Sequence, residues 1–321
     1  MNKIKILTVL IFSLIFSYCD IPVNENKKAE VPNFEEDSAY NYIAKQVSFG
    51  PRVPNTDAHE KCAIFLEKKM QSFDAEVIIQ KGFVTKYDGV KLEIKNIIAQ
   101  FAPEKKERIL LFTHWDSRFI ADQCLDSNQV KVPIDGANDG ASGVGVLMEI
   151  ARIIGEHKPD IGVDIIFFDA EDQGEPSFLN KMNEKSWCLG TQYWCNNLHK
   201  KNYSAKYGIS LDMVGSKNAK FAKEDNSRYF EGYLTKNIWK IGQELGYSEY
   251  FINELQKGIL HDHVFVSQMG GIRSVLIVEY SSHNKNGFGD FWHTHNDNID
   301  VIDKNTLKAV GQTVLTAIYR E

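Results

Sequence analysis

The chain has 321 residues, 43% of them apolar and 25% charged, with 22 Gly and 8 Pro. This is ordinary globular composition and excludes a disordered, collagen-like or coiled-coil protein. Its 37 Lys and Arg are outnumbered by 43 Asp and Glu, a net charge of −6 with no long basic block, which argues against a nucleic-acid groove built on phosphate neutralisation.

Lys3 and Lys5 precede a mostly apolar run, Ile6 to Phe16, free of charges, too short to span a bilayer as a mature helix and patterned as a secretory signal. Cys19 follows as the acceptor cysteine of a bacterial lipoprotein would, although the bulky Tyr18 stands where a small residue is usual. The polar stretch from Asp20 to Glu36 reads as a tether. The expected division is therefore a signal over 1–18, a tether over 19–36 and one domain of about 285 residues over 37–321. The mature chain, with 35 basic and 43 acidic residues, carries a net charge of −8. Export to the periplasm, or anchoring through a lipid on Cys19, is the expected location.

Apolar residues at helical spacing predict helices over Ser38 to Val47 and Asp57 to Phe73, the second capped by Asn55 or Thr56. Extended segments follow at Glu76 to Gln80 and Val90 to Phe101, then a short apolar strand from Arg108 to Thr113. Beyond it come a helix over Gly143 to Ile154, a strand over Val163 to Asp169, a helix over Gly190 to Leu198 and a strand over Tyr207 to Met213. A helix over Leu234 to Leu245, a strand over Ser274 to Glu279 and a helix over Lys304 to Tyr319 complete the chain. Such alternation predicts an α/β fold, a central mixed or mostly parallel β-sheet flanked by helices. Asp172 to Trp187 and Asn218 to Tyr229 are expected as long irregular loops. Cys62, Cys124, Cys188 and Cys195 are either free thiols or partly paired, with Cys188 and Cys195 the nearest candidates in sequence.

Polar residues gather where apolar strands end. ILLFT runs into His114, Trp115 and Asp116; DIIFFDA into Glu171 and Asp172; YGISL into Asp212. Ligands of open α/β sheets bind outside the carboxyl ends of the strands, so these clusters should meet in one crevice. Between the first two lies the glycine-rich DGANDGASG with Asp139 at its centre. It has no phosphate-loop signature, and its carboxylate suits a cation rather than a phosphate. FWHTHNDN adds His293, His295 and Asp297. Three His and carboxylate ligands from separate loops, with one open position, are what catalytic zinc takes. Asp139, one of Glu171 and Asp172, and His293 supply that count, with His114 and Asp212 as further candidates. Taken singly these residues have plainer roles, since an Asp in a Gly/Asn/Ser loop ordinarily binds its own turn. His59, His157, His199 and His283 are expected to be solvated.

In this order HWDS, GANDGASG, FFDAED, LDMVG and WHTHND resemble the M28-type zinc aminopeptidase superfamily. More narrowly they are similar to its glutaminyl cyclase branch, whose enzymes convert N-terminal glutamine to pyroglutamate. The resemblance covers Ser38 to the C-terminus and implies a phosphorylase/hydrolase-like zinc aminopeptidase architecture. It also implies metal ligands at Asp139, Asp172 and His293 and a general acid/base at Glu171. Where the family commonly has two adjacent glutamates, this chain has Glu171 followed by the shorter Asp172.

The same resemblance leaves two activities to separate. His114, Asp139, Asp172, Asp212 and His293 would also furnish a two-zinc aminopeptidase site, which hydrolyses N-terminal residues. Three features favour the one-zinc cyclase. Trp292 precedes His293, as the tryptophan that walls the glutamine pocket does in cyclases. Asp262 in ILHDHVF stands where cyclases carry an acid that hydrogen-bonds with the catalytic Glu and with the partner at Asp212. HWDSR resembles the cyclase HYDSK stretch. A second pocket tryptophan is out of register: Ser177 and Phe178 occupy its place, and Trp187 comes later. The resemblance thus implies a monomeric acyltransferase acting on peptides or proteins with N-terminal Gln. A non-catalytic binding protein on the same fold is the remaining alternative, disfavoured because Glu171 is intact.

Overall fold

The computed structural model describes residues 30–179, 181, 183–281 and 287–321. The expected signal, Cys19 and His283 lie outside the described residues. In chain order the elements are helices α1 (Glu36–Val47) and α2 (Asp57–Gln71), strands β1 (Glu76–Thr85), β2 (Lys91–Phe101) and β3 (Arg108–His114), helix α3 (Ala141–Glu156), strand β4 (Gly162–Phe168) and helix α4 (Leu189–Asn196). Then come β5 (Gly208–Asp212), β6 (Phe221–Glu224), α5 (Asp225–Glu244), β7 (Phe251–Gln256), α6 (Asp262–Gln268), β8 (Ser274–Val278) and α7 (Lys304–Tyr319).

Six strands form one sheet in the order β1-β2-β4-β3-β5-β8. β1, β2 and β4 pair antiparallel, whereas β4, β3, β5 and β8 run parallel, so the sheet is mixed as expected. The central strands are apolar on both sides because both faces are covered. Along β3, Ile109 and Leu111 join the cluster beneath α1, α3 and α7, while Leu110 and Phe112 pack with Trp194 of α4 and Val266 of α6. β4 repeats the alternation, with Ile165 and Phe167 on one face and Ile166 and Phe168 on the other. Each such side chain contributes roughly 1.5–3 kcal/mol on burial.

The one charge in β4, Asp164, is fully buried and fully paired. Arg108 Nη2 and Nε donate to its two oxygens at 2.6 and 2.7 Å, Tyr203 Oη donates at 2.7 Å and Gln100 Nε2 at 3.0 Å. Four donors on one carboxylate stand in for the water it lost.

Several boundaries differ from expectation. Asn218 to Tyr229 is not an irregular loop: it holds β6 and the first turns of α5. The helical period is broken there by a kink at Glu231 (φ −149°, ψ 71°), and Tyr229 and Tyr233 lie exposed on the helix. Strand β7 escapes the sequence pattern because its middle residues face solvent, and α6 because it has only seven residues. Packing also begins ahead of the expected end of the tether, since Phe34 is fully buried and its backbone N–H donates to Gln312 Oε1 at 2.9 Å. The four described cysteines are free. Cys188 caps α4 and Cys195 lies seven residues on, about 10 Å at the helical rise, beyond the span of a disulfide. No described helix is long and apolar enough to cross a membrane.

Candidate metal centre and active site

The carboxyl ends of β3, β4 and β5 deliver His114, Glu171, Asp172 and Asp212 to one side of the sheet, and all four are buried. Glu171, Asp172 and Asp212 border a cavity of about 430 Å³ that Asp139, His261, Trp187, Trp292 and His293 also line, while His114 lies behind Asp139 and Asp212. The three clusters read from strand ends thus converge. Asp139, Asp172 and His293 each bring a ligand atom within 4.8 Å of the others. His293 Nε2 lies 3.4 Å from Asp172 Oδ1 and 3.6 Å from Asp139 Oδ2. Asp172 Oδ2 is buried without a hydrogen-bond partner among the described residues. Two carboxylates, an imidazole and an orphaned oxygen fit a divalent cation of zinc type.

Backbone strain concentrates at this rim. Ala170, Cys188, Met213 and His293 all adopt positive φ, between 46° and 55°, a cost of order 1–3 kcal/mol each that persists where a site requires it. The glycine loop has a steric purpose. At Gly140, with φ +93°, a Cβ would stand 2.6 Å from the Asp116 carbonyl and 3.0 Å from the His114 ring. Only glycine lets the start of α3 approach the end of β3 this closely. Asp139 therefore sits two residues ahead of Ala141, the first residue of α3, where the helix dipole favours an anion.

Outer residues fix the inner ones. Asp297 accepts from the backbone N–H of Asn138 at 2.7 Å and of Asp139 at 3.1 Å. Asp116 does the same for the acidic pair, accepting from Glu171 N at 3.0 Å and Asp172 N at 3.2 Å. Asp122 lies 3.1 Å from His293 Nδ1 and takes two bonds from Arg118, 2.8 Å from Nε and 3.0 Å from Nη2. Arg118 Nη1 reaches Asp172 Oδ1 at 2.9 Å, so one buried guanidinium ties both sides of the cation cluster. Orientation of a metal-ligating histidine by a carboxylate is the usual role of such a partner.

The electrostatics follow from crowding. Burial, with the nearby charge of Asp172, pushes the Asp139 carboxyl up to about 6. Burial and then the carboxylates of Asp262, Asp172 and Asp212 push Glu171 well above the usual range, against the pull of His114. Asp262 also rises to about 6, chiefly through burial. Burial alone would raise Asp122, yet hydrogen bonds with His293 and Arg118 hold it well below an ordinary carboxyl. His114 Nε2 stands 3.1 Å from Asp139 and 3.2 Å from Asp212, and Asp116 lies 3.4 Å from its Nδ1. His261 adds a further contact at 3.5 Å from Asp212, and His114, Asp212 and His261 form a second group able to meet around an ion.

The structure adds to the reading of the sequence at two positions and corrects it at a third. Trp187 lines the same cavity as Trp292: the chain loops out after Asp172 and returns, and the ring fills space that Gly174 leaves open, a Cβ there falling 2.1 Å from it. It stacks on Arg118 at 4.8 Å. Asp262 has partners that the sequence did not give. Its Oδ1 accepts from Thr191 Oγ1 at 2.6 Å, and the Cys188 thiol, 3.2 Å from Glu171 Oε1, borders both acids. His59 is not solvated but buried, bound to Asp169 at 2.8 Å and stacked on Trp115. Asp122 gave only a faint sequence signal, an Arg and an Asp four residues apart after HWDS.

Residues 96–318 match the profile of Peptidase family M28. A solved glutaminyl cyclase of Bacteroides thetaiotaomicron, bound to N-acetylhistamine, is 48% identical over 91% of this chain and 100% of its own, with a TM-score of 0.89. A Zn-dependent exopeptidase of Parabacteroides distasonis is 51% identical over 91% of this chain and 100% of its own, with a TM-score of 0.90. Aminopeptidase YwaD of Bacillus subtilis is 27% identical over 188 residues, 57% of this chain. The chain spans only 37% of the length of that curated relative. Fold, ordered motifs and these likenesses agree: the chain belongs to Peptidase family M28, in its glutaminyl cyclase branch.

Proposed function

We propose that the protein is a zinc-dependent glutaminyl-peptide cyclotransferase, which closes an N-terminal glutaminyl residue to pyroglutamate and releases ammonia. One observation carries this: a buried glutamate, Glu171, and a three-residue cation cluster open onto one cavity walled by Trp187 and Trp292. Asp139, Asp172 and His293 would hold one zinc, and when bound it supplies Lewis-acid polarisation of the side-chain amide carbonyl. Glu171 takes a proton from the substrate's α-ammonium. The freed amine then attacks its own side-chain amide carbon, forming the ring C–N bond. As the bond to the amide nitrogen breaks, Glu171 returns the proton to that nitrogen, which leaves as ammonia, and takes the surplus proton from the ring nitrogen for release to solvent. A group that both accepts and returns a proton near neutrality must have a raised pKa, and the burial of Glu171 supports this. The two indoles fold the glutaminyl side chain back on its own amine, an ordering that can supply up to roughly 7–11 kcal/mol. Asp212 and Asp262 position the acid/base region.

Two zinc ions and aminopeptidase chemistry are the second reading, favoured by the His114, Asp212 and His261 group. Against it, His114 already has three carboxylates as partners. The test is a single incubation of zinc-loaded protein with a Gln-initiated peptide, with zinc counted per chain. Loss of ammonia by mass with one zinc is expected; loss of a whole residue with two zincs overturns the proposal. The same reading takes the chain as an exported monomer acting on peptides or proteins with N-terminal Gln, held to a membrane only through a lipid on Cys19.

A further inference from the structure

Cys188 is a buried thiol that the reaction just described does not use. It stands in the left-handed region at φ 54°, as the N-cap of α4, and its backbone N–H donates to the Glu171 carbonyl at 2.9 Å. That turn brings its side chain to two acids. The Sγ lies 3.2 Å from Glu171 Oε1, and Asp262 borders the same sulfur. Asp262 is held from behind by Thr191, and its Oδ2 has no hydrogen-bond partner among the described residues. The thiol is fully buried among carboxyl groups, where a thiolate is disfavoured, so it keeps its proton and serves as a donor.

We propose that Cys188 is a positioning residue, whose S–H holds Glu171 Oε1 in place while its backbone N–H holds the Glu171 carbonyl. A thiol is a weak donor with a bulky sulfur, so it steers the Glu171 side chain without locking it. The backbone bond from Cys188 N adds to this, because the turn bearing Glu171 and the thiol that steers its side chain are fixed by the same residue.

This inference rests on the cyclase reading for its kinetic arm. Cys188→Ala should lower kcat roughly 10- to 100-fold, the scale of a misplaced catalytic group. KM should stay within about twofold and zinc content should be unchanged, and Cys188→Ser, which restores a donor, should recover most of the loss. Wild-type kcat in the alanine variant, or equal losses in both variants that follow lost zinc or lost folded protein, overturns the proposal. A second arm needs no turnover. The infrared S–H band assigned to Cys188 by the difference between parent and Cys188→Ala should shift toward the free-thiol position in Glu171→Ala. An unshifted band overturns the inference, whereas an inactive parent with a shifting band overturns only the cyclase reading.

Discussion

Strand β4 carries buried acid at both ends, and the two ends are built oppositely. At the start, Asp164 receives four hydrogen bonds from Arg108, Tyr203 and Gln100. Past the other end, Glu171 and Asp172 share a crowded patch with Asp139, Asp212 and Asp262, where Asp172 Oδ2 and Asp262 Oδ2 are buried and unpartnered among the described residues. Burial is similar, so burial does not distinguish them. Satisfaction does: a fully paired carboxylate is a structural device, while an under-satisfied buried cluster is costly and leaves lone pairs free for something the protein binds.

Breaking either end should separate stability from chemistry. The largest effect is expected at the site, where Glu171→Gln should cost roughly 10²–10⁴-fold in kcat, with zinc retained and the denaturation midpoint unchanged. Atomic absorption and urea unfolding check those controls, and near-normal turnover would remove Glu171 from its role. Asp164→Ala should do the reverse. Leaving the Arg108 guanidinium buried and unpaired costs about 3–5 kcal/mol, read as a lower urea midpoint at constant slope. Turnover per folded molecule should not change. If Asp164→Ala altered kcat rather than stability, the contrast between the two ends would be lost.

The contrast was only half legible in the sequence. Strand ends announce themselves, because an apolar run buried on both faces stops at His114, after Phe168 and at Asp212, and the sheet brings those positions together. Asp139 and His293 were legible through their motifs. What holds these residues was not. Asp122, Arg118 and Trp187 sit in loops without periodicity, and their contacts depend on positive-φ turns and on Gly174 making room for an indole. Asp116 and Asp297 were visible as letters, but that they accept backbone N–H groups at the site is a property of loop conformation. His59 was misjudged for a related reason: a histidine in a charged helical stretch reads as solvated until Asp169, from the turn after β4, is seen to face it.

The supporting contacts give the intermediate test. Asp122→Asn keeps the shape but removes the charge that faces His293 Nδ1 and Arg118. Zinc affinity should fall roughly 10- to 100-fold, measured by competition with a chelator, with kcat at saturating zinc much less affected. Unchanged affinity would mean that Arg118 alone orders the cluster.

The smallest effect is expected at the cavity wall. Trp187 stacks on Arg118, and its Nε1 is buried without a hydrogen-bond partner among the described residues. Its ring lines the cavity and its N–H is a donor without a partner among the described residues. Trp187→Phe keeps the surface and deletes the donor. If the N–H binds the peptide equally in ground and transition states, the loss is one hydrogen bond, about 0.5–1.5 kcal/mol, a rise in KM of roughly 2- to 12-fold with kcat unchanged. If KM is unmoved, the indole acts only as a wall. A fall in kcat would instead show that Trp187 acts through Arg118 on Asp172, making it part of the under-satisfied end of β4 rather than its boundary.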